Sequence, residues 1–330
     1  MSDSSPPIPP WRHRLSLAGS IFLGAIFLVA AWAKTLNPGS LADQITREGL
    51  DFLLPAGVVA LIALALEYFL GSALVLGLRR RVVLWPTAAL VVFFLFLTGR
   101  TYVRSLQGIE PEDASCGCFG NLVQRTPAEA FWQDLFLMVP ALLLAFLALR
   151  GGLPRVRTAI AVAVTLAMTL LAWRAPHLPL DDVATSLKPG VDIASLCIEG
   201  SSGSDVCLDG IVPELSEGEH VVVLTELDDE LIAHVDDLND FYWTAEAPAL
   251  WVLTGASEEE LFQFRFTQGP TFELREAPKP LLQRMWRQAP RSFEVSDGEV
   301  TRTWSGLPPL DALRSAESQD SAAVPSATTR

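Results

Sequence analysis

The sequence predicts an all-α polytopic membrane helix bundle followed by a soluble, exported α/β domain. Three observations lead there. The chain of 330 residues is 50% hydrophobic yet carries a formal net charge of -14, a pairing that one soluble domain does not accommodate. The long apolar runs fall before Pro176 and the acidic excess after it. Beyond His220, short β-branched runs alternate with stretches of helical period.

Residues 1–14 are polar and proline-rich at the start, as a disordered tail requires, and end in Arg12, His13 and Arg14. The first apolar run, Leu15 to Ala33, is long enough to cross a bilayer at about 20 residues per helix. A secretory signal competes for this run, because Ala31-Trp32-Ala33 has a small-x-small cleavage pattern, but further spans follow it. A mixed-charge connection, Lys34 to Asp51, contains a turn at Asn37-Pro38-Gly39. Spans from Phe52 to Leu78, Val82 to Thr98, Phe131 to Leu149 and Thr158 to Trp173 are expected next. Residues 15–151 thus form a four-helix domain and 152–174 a fifth helix.

Arginines set the orientation. The ends at Arg12/Arg14, Arg79 to Arg81 and Arg150 to Arg157 are basic without nearby acids, and the positive-inside rule assigns such ends to the cytoplasm. Alternation then exports the loop between the third and fourth spans and everything after Trp173. All four cysteines, Cys116, Cys118, Cys197 and Cys207, are exported by the same alternation. Disulfides persist in an oxidising compartment, so charge and cysteine placement agree on a multi-pass protein of the bacterial inner membrane with a cytoplasmic N-terminus.

Two features carry chemistry. Ser115-Cys116-Gly117-Cys118-Phe119-Gly120 sets two thiols one residue apart; such a pair closes a tight, reducible disulfide suited to electron exchange, while structural bridging and metal binding are the competing readings. Glu67 is the acid that a hydrocarbon environment disfavours, so it is expected to face the bundle interior. Gly71, four residues on, shares its helix face. Candidate partners are Lys34, at the end of the first span, and Arg100, at the end of the third. A purely structural buried pair is the alternative to a mechanistic role.

With these residues in view, the segment from Leu15 to Gly151 resembles the MauE proteins of methylamine utilisation, a branch of the DoxX-like membrane families. The matching residues are Ala33-Lys34, Asn37-Pro38, Leu54-Pro55, Glu67 with Gly71, and Cys116-Gly117-Cys118-Phe119-Gly120. The resemblance implies a membrane protein needed for maturing a disulfide-rich exported dehydrogenase subunit. The fifth span and the long acidic part depart from the four-span pattern.

Residues 175–310 read as a separate domain. His220 to Leu224 and Ala249 to Leu253 are buried-strand runs; Asp228 to Tyr242 and the stretch from Glu258 are helical; Pro280 to Arg287 is amphipathic; Ser292 to Val295 and Val300 to Trp304 form a hairpin around Asp297-Gly298. That order is similar to a thioredoxin-like domain, with Pro290 where that fold keeps its cis proline. The Cys-x-x-Cys of that fold is missing, since Thr225-Glu226-Leu227-Asp228 follows the first strand. Cys197 and Cys207 flank a Gly/Ser-rich stretch that suits a hairpin staple, with a pair exchanging with Cys116 and Cys118 as the sharper alternative. Residues 311–330 read as a disordered tail.

The scattered histidines, His13, His177, His220 and His234, give no metal-ligand spacing, and an acidic exported half argues against nucleic acid. One functional reading follows the cysteines: a membrane thiol:disulfide component in which Cys116 and Cys118 exchange electrons with an exported client or partner. In it Glu67, with Lys34 or Arg100, binds a quinone head group or relays protons. Another is a non-enzymatic assembly factor with structural cysteines, holding its client from the bilayer. Small-solute transport is a third and less favoured reading, the spans having few polar residues besides Glu67.

Overall fold

In a computed structural model, residues 9–78, 80–107, 125–149, 154–178, 180–199, 205–244 and 247–314 are described, Arg47 by its backbone only. The chain divides into two compact units, Met1–Leu178 and Pro179–Arg330.

Among the described residues the first unit holds five helices long and apolar enough to cross a membrane. In chain order its helices are α1 (Pro10–Leu36), α2 (Pro38–Arg47), α3 (Ala56–Val75), α4 (Arg81–Leu106), α5 (Pro127–Phe146) and α6 (Arg155–Arg174). α1 is central and packs on both α3 and α5, while α6 leans on α3 and α4 on α5. Small residues make the approach close. A Cβ on Gly24 would stand 2.7 Å from the Gly71 carbonyl oxygen, and one on Gly19 2.7 Å from that of Ala141. Helices in lipid gain little from hydrophobicity between themselves, so such backbone approaches and interhelical hydrogen bonds hold them together. Ser16 Oγ donates to the Ala145 carbonyl at 2.8 Å and Ser20 Oγ to that of Leu74 at 3.1 Å. Leu23, Phe27, Leu70, Leu74, Leu84 and Met138 fill the interior, whereas Ile62, Val92, Phe96, Phe136 and Leu166 point outward and exposed, as a lipid-facing surface does.

α2 departs from the expected turn at Asn37-Pro38-Gly39. Asn37 Oδ1 accepts the Ser40 amide at 3.2 Å and Pro38 opens the helix, a start in which a proline loses nothing by lacking its N–H. α4 runs to Leu106, beyond the expected end at Thr98. At the start of α5, Thr126 and Glu129 form a capping box, so Glu129 belongs to the helix rather than to the loop.

The second unit contains, in order, α7 (Asp181–Ala184), β1 (Cys197–Glu199), β2 (Asp205–Cys207), α8 (Leu208–Ile211), β3 (Glu219–Leu224), α9 (Asp229–Ala233), α10 (Val235–Tyr242), β4 (Ala249–Thr254), α11 (Glu258–Gln268), β5 (Glu273–Glu276), α12 (Lys279–Met285), β6 (Arg291–Ser296) and β7 (Glu299–Ser305). Its five-stranded sheet has the order β5-β4-β3-β6-β7. β3, β4 and β5 run parallel; β6 and β7 return antiparallel. Val222, Leu224, Leu253 and Phe293 meet α12 on one face, and Val221, Val223, Leu250 and Val252 meet α9, α10 and α11 on the other. Both faces are covered, which is why β3 and β4 read as continuous apolar runs. The Ala289-Pro290 bond is cis, and with this topology the unit has a thioredoxin-like fold.

At the start of β6, Arg291 is 1% exposed and binds the start of the unit to its sheet. Its guanidinium donates to the Met285 carbonyl (2.6 Å), the Leu187 carbonyl (2.9 Å), Asp182 Oδ1 (3.0 Å) and Thr185 Oγ1. Burial pulls this guanidinium below its ordinary value, and Asp181 and Asp182 oppose that shift.

Because nothing lies within 4 Å of a Cβ placed on Gly57, Gly57→Ala is expected to stabilise the bundle by up to about 1 kcal/mol through helix propensity. Gly24→Ala is expected to destabilise it by about 1–3 kcal/mol through overpacking. Thermal unfolding of the two variants in detergent micelles checks the difference in sign.

Candidate functional site in the membrane unit

α1 ends one residue before α2 begins, so the last turn of α1 is pressed against α3 beneath the amphipathic α2. Two side-chain rungs cross this contact. Lys34 Nζ lies 2.6 Å from Glu67 Oε1, and Thr35 Oγ1 lies 2.8 Å from the Tyr68 hydroxyl. Both members of the ion pair are buried, Lys34 at 7% and Glu67 at 2% exposure. The ammonium also sits 4.8 Å from the centre of the Phe94 ring, a cation–π contact that recovers part of its lost hydration. Glu67 Oε2 is buried and accepts no hydrogen bond among the described residues. Gly71, on the same face of α3, meets Gly24 of α1. The close helix approach therefore continues directly below the charges.

The pair lines a cavity of about 250 Å³. Its walls come from α1, α2, α3 and α4: Leu41 and Ile45 from α2, Val59 and Ala63 from α3, and Phe93, Phe94, Leu97, Thr98 and Thr101 from α4. The lining is mostly apolar, and Gln44 and Glu48 add polar groups beside the charged pair.

Arg100 takes a different place from the one expected. It pairs with Glu48 at 2.8 Å, its side chain 42% exposed, and it does not line the cavity. Arg100 lies about two turns beyond Phe93 on the same side of α4, where Glu48 at the end of α2 takes its guanidinium. Lys34 is thus the residue that meets Glu67.

A second buried pair joins Arg125, just before α5, to Asp134 within it, at 3.4 Å; Asp134 is fully buried. Arg125 also donates to Gln133 Oε1 at 3.3 Å. Sequence reasoning singles out Glu67 and passes over Asp134, although an acid inside the fourth apolar run carries the same signal. Cys116 and Cys118 lie outside the described residues. The chain leaves α4 at Gln107 and is next described at Arg125. Since consecutive spans alternate in direction, that is the end of the bundle where α1 stops and Lys34 sits.

In the second unit Cys197 and Cys207 face each other as register partners of β1 and β2 and form a disulfide. At the position where a thioredoxin-like fold carries its thiols, Thr225 is buried, its amide bonded to the Leu253 carbonyl at 3.0 Å. Asp228 caps α9 through the Leu231 amide at 3.0 Å. Leu224 pairs with Arg291, so the cis proline stands across from Thr225. Among the described residues no cluster of His, Cys, Asp or Glu suits a metal ion.

Removing one partner of a buried ion pair leaves an uncompensated charge. Lys34→Met is therefore expected to lower stability by about 3–5 kcal/mol, and Lys34→Met with Glu67→Met to recover most of that loss. Thermal melts of the three proteins in micelles check it.

No curated protein matches this chain. Among solved structures, the bacterioferritin comigratory protein of Xanthomonas campestris, described for its alkyl peroxide reduction activity, is similar at 17% identity. The likeness covers 41% of this chain and 98% of that chain, with a TM-score of 0.29. The family described as Methylamine utilisation protein MauE matches residues 12–147, a stretch that takes in nearly all of α1, the whole of α2 to α5, and the cavity. By that match the membrane segment 12–147 is similar to the MauE family.

Proposed function

We propose that this protein is a membrane component of thiol–disulfide exchange that helps mature a disulfide-containing exported client. The observation that carries the reading is the placement of the Cys116-Gly117-Cys118 sequence between α4 and α5, in the connection at the cavity end of a MauE-type bundle. In the exchange, a client thiolate attacks one sulfur of the Cys116–Cys118 disulfide and releases the other as thiolate. The client's second thiolate then displaces the enzyme sulfur. A client disulfide forms, and two electrons remain on Cys116 and Cys118 as a dithiol. The arginine-rich ends support a cytoplasmic N-terminus in the inner membrane and a periplasmic second unit.

The family description, methylamine utilisation, supports a client of the methylamine dehydrogenase type. The second unit, lacking thiols after β3 and carrying a closed disulfide at Cys197 and Cys207, fits a docking role for the client. The same observation favours a second reading, a non-enzymatic assembly factor whose cysteines are all structural.

Thiol trapping in buffers of defined redox potential separates the two. Exchange predicts that Cys116 and Cys118 titrate near the potential of the compartment while Cys197–Cys207 stays oxidised, and that Cys116→Ser with Cys118→Ser abolishes client oxidation at unchanged protein level. A pair that stays locked under mild reductant, with the double substitution lowering protein level instead, supports the assembly reading.

A further inference from the structure

Glu67 Oε2 is a buried acceptor that the ion pair leaves unused. An unsatisfied carboxylate oxygen in a hydrocarbon environment is costly, so its place in a cavity wall calls for a donor from inside that cavity. Lys34 stands at the same wall with three ammonium donors, one of them committed to Glu67 Oε1. Phe93 and Phe94 of α4 add aromatic rings to the lining, that of Phe94 lying 4.8 Å from the ammonium. An apolar cavity of about 150 Å³ takes one benzene ring; the 250 Å³ here leaves room for ring substituents.

These features narrow the occupant. An acyl chain has nothing to give to Glu67 or take from Lys34. A sugar or nucleotide carries more polar groups than walls of Leu41, Ile45, Val59 and Leu97 can satisfy. A flat ring with oxygens on its edge and an apolar body, arriving from the bilayer, meets every wall. We propose that this cavity is a binding site for a membrane-soluble quinone and its quinol. Lys34 donates to a ring carbonyl of the oxidised form, and Glu67 Oε2 accepts from a ring hydroxyl of the reduced form.

When bound, a quinone supplies a two-electron sink. Its reduction would close the balance of the thiol exchange: the Cys116/Cys118 dithiol gives up two electrons and two S–H protons and regains its S–S bond, while two ring carbonyls become hydroxyls. That coupling rests on the exchange reading proposed above; binding at Lys34 and Glu67 does not.

Equilibrium binding of decylbenzoquinone and its quinol to the purified full-length protein in detergent micelles tests the proposal. Saturable binding is expected, with Glu67→Gln weakening quinol binding by about tenfold or more and Lys34→Met weakening quinone binding. Leu97→Trp, which fills the cavity without touching the charges, is expected to abolish both while the melting temperature holds. Cys116→Ser with Cys118→Ser is expected to bind as the unsubstituted protein does. Client oxidation that persists in the Cys116→Ser, Cys118→Ser protein, with quinone binding intact, sinks the exchange reading alone. Partitioning that does not saturate, equal uptake by the Leu97→Trp protein, or equal displacement by palmitate overturns the quinone site.

Discussion

The membrane unit depends on an ion pair that lipid makes obligatory. Neither Lys34 nor Glu67 can be tolerated alone at its depth, because a lone buried charge has neither water nor a counter-ion. Together they fix the register of α1 on α3, and the Thr35–Tyr68 contact one residue further along repeats the constraint. Gly24 and Gly71 make this geometry reachable, since a side chain at either would hold the helices apart. Packing and polarity are therefore one design: glycine brings the backbones together, and that approach lets a lysine at the end of one span meet an acid in the middle of another. The cavity follows from the same arrangement, because α2 roofs the junction while α4 packs chiefly on α5.

The second unit solves a different problem. It keeps a thioredoxin-like topology and a cis proline but places threonine and a helix-capping aspartate where thiols would do chemistry. Its one disulfide among the described residues joins two short strands near the start of the unit. Arg291 gathers the segment that follows the membrane helices onto the sheet through Asp182, Thr185 and Leu187. Such a domain is built to hold a shape.

Much of this was legible in the sequence because lipid simplifies the reading. Apolar runs announced five spans, and a lone acid announced an interior position. Boundaries were less legible: α4 continues through Thr101 and Arg104, whose polar side chains end the apolar run before they end the helix. α2 was hidden because Asn37-Pro38 is as good a helix start as a turn, and only Leu41 and Ile45, four apart, distinguish them. β5 escaped because Glu273-Leu274-Arg275-Glu276 is an edge strand with one inward apolar side chain. Asp134 was overshadowed by Glu67. The choice between Lys34 and Arg100 as its partner needed three dimensions, because both end their apolar runs and only the fold shows that Glu48 pairs with Arg100.

Reversing the charges tests the central claim most directly. Lys34→Glu and Glu67→Lys, made singly, place two like charges in the dry interior, whereas the two together restore opposite signs on the same helices. If the pair organises the bundle, each single protein fails to accumulate as a folded monodisperse species in micelles and the double reversal regains it. Single reversals that fold as well as the unsubstituted protein, or a double reversal no better than either single, would contradict the account.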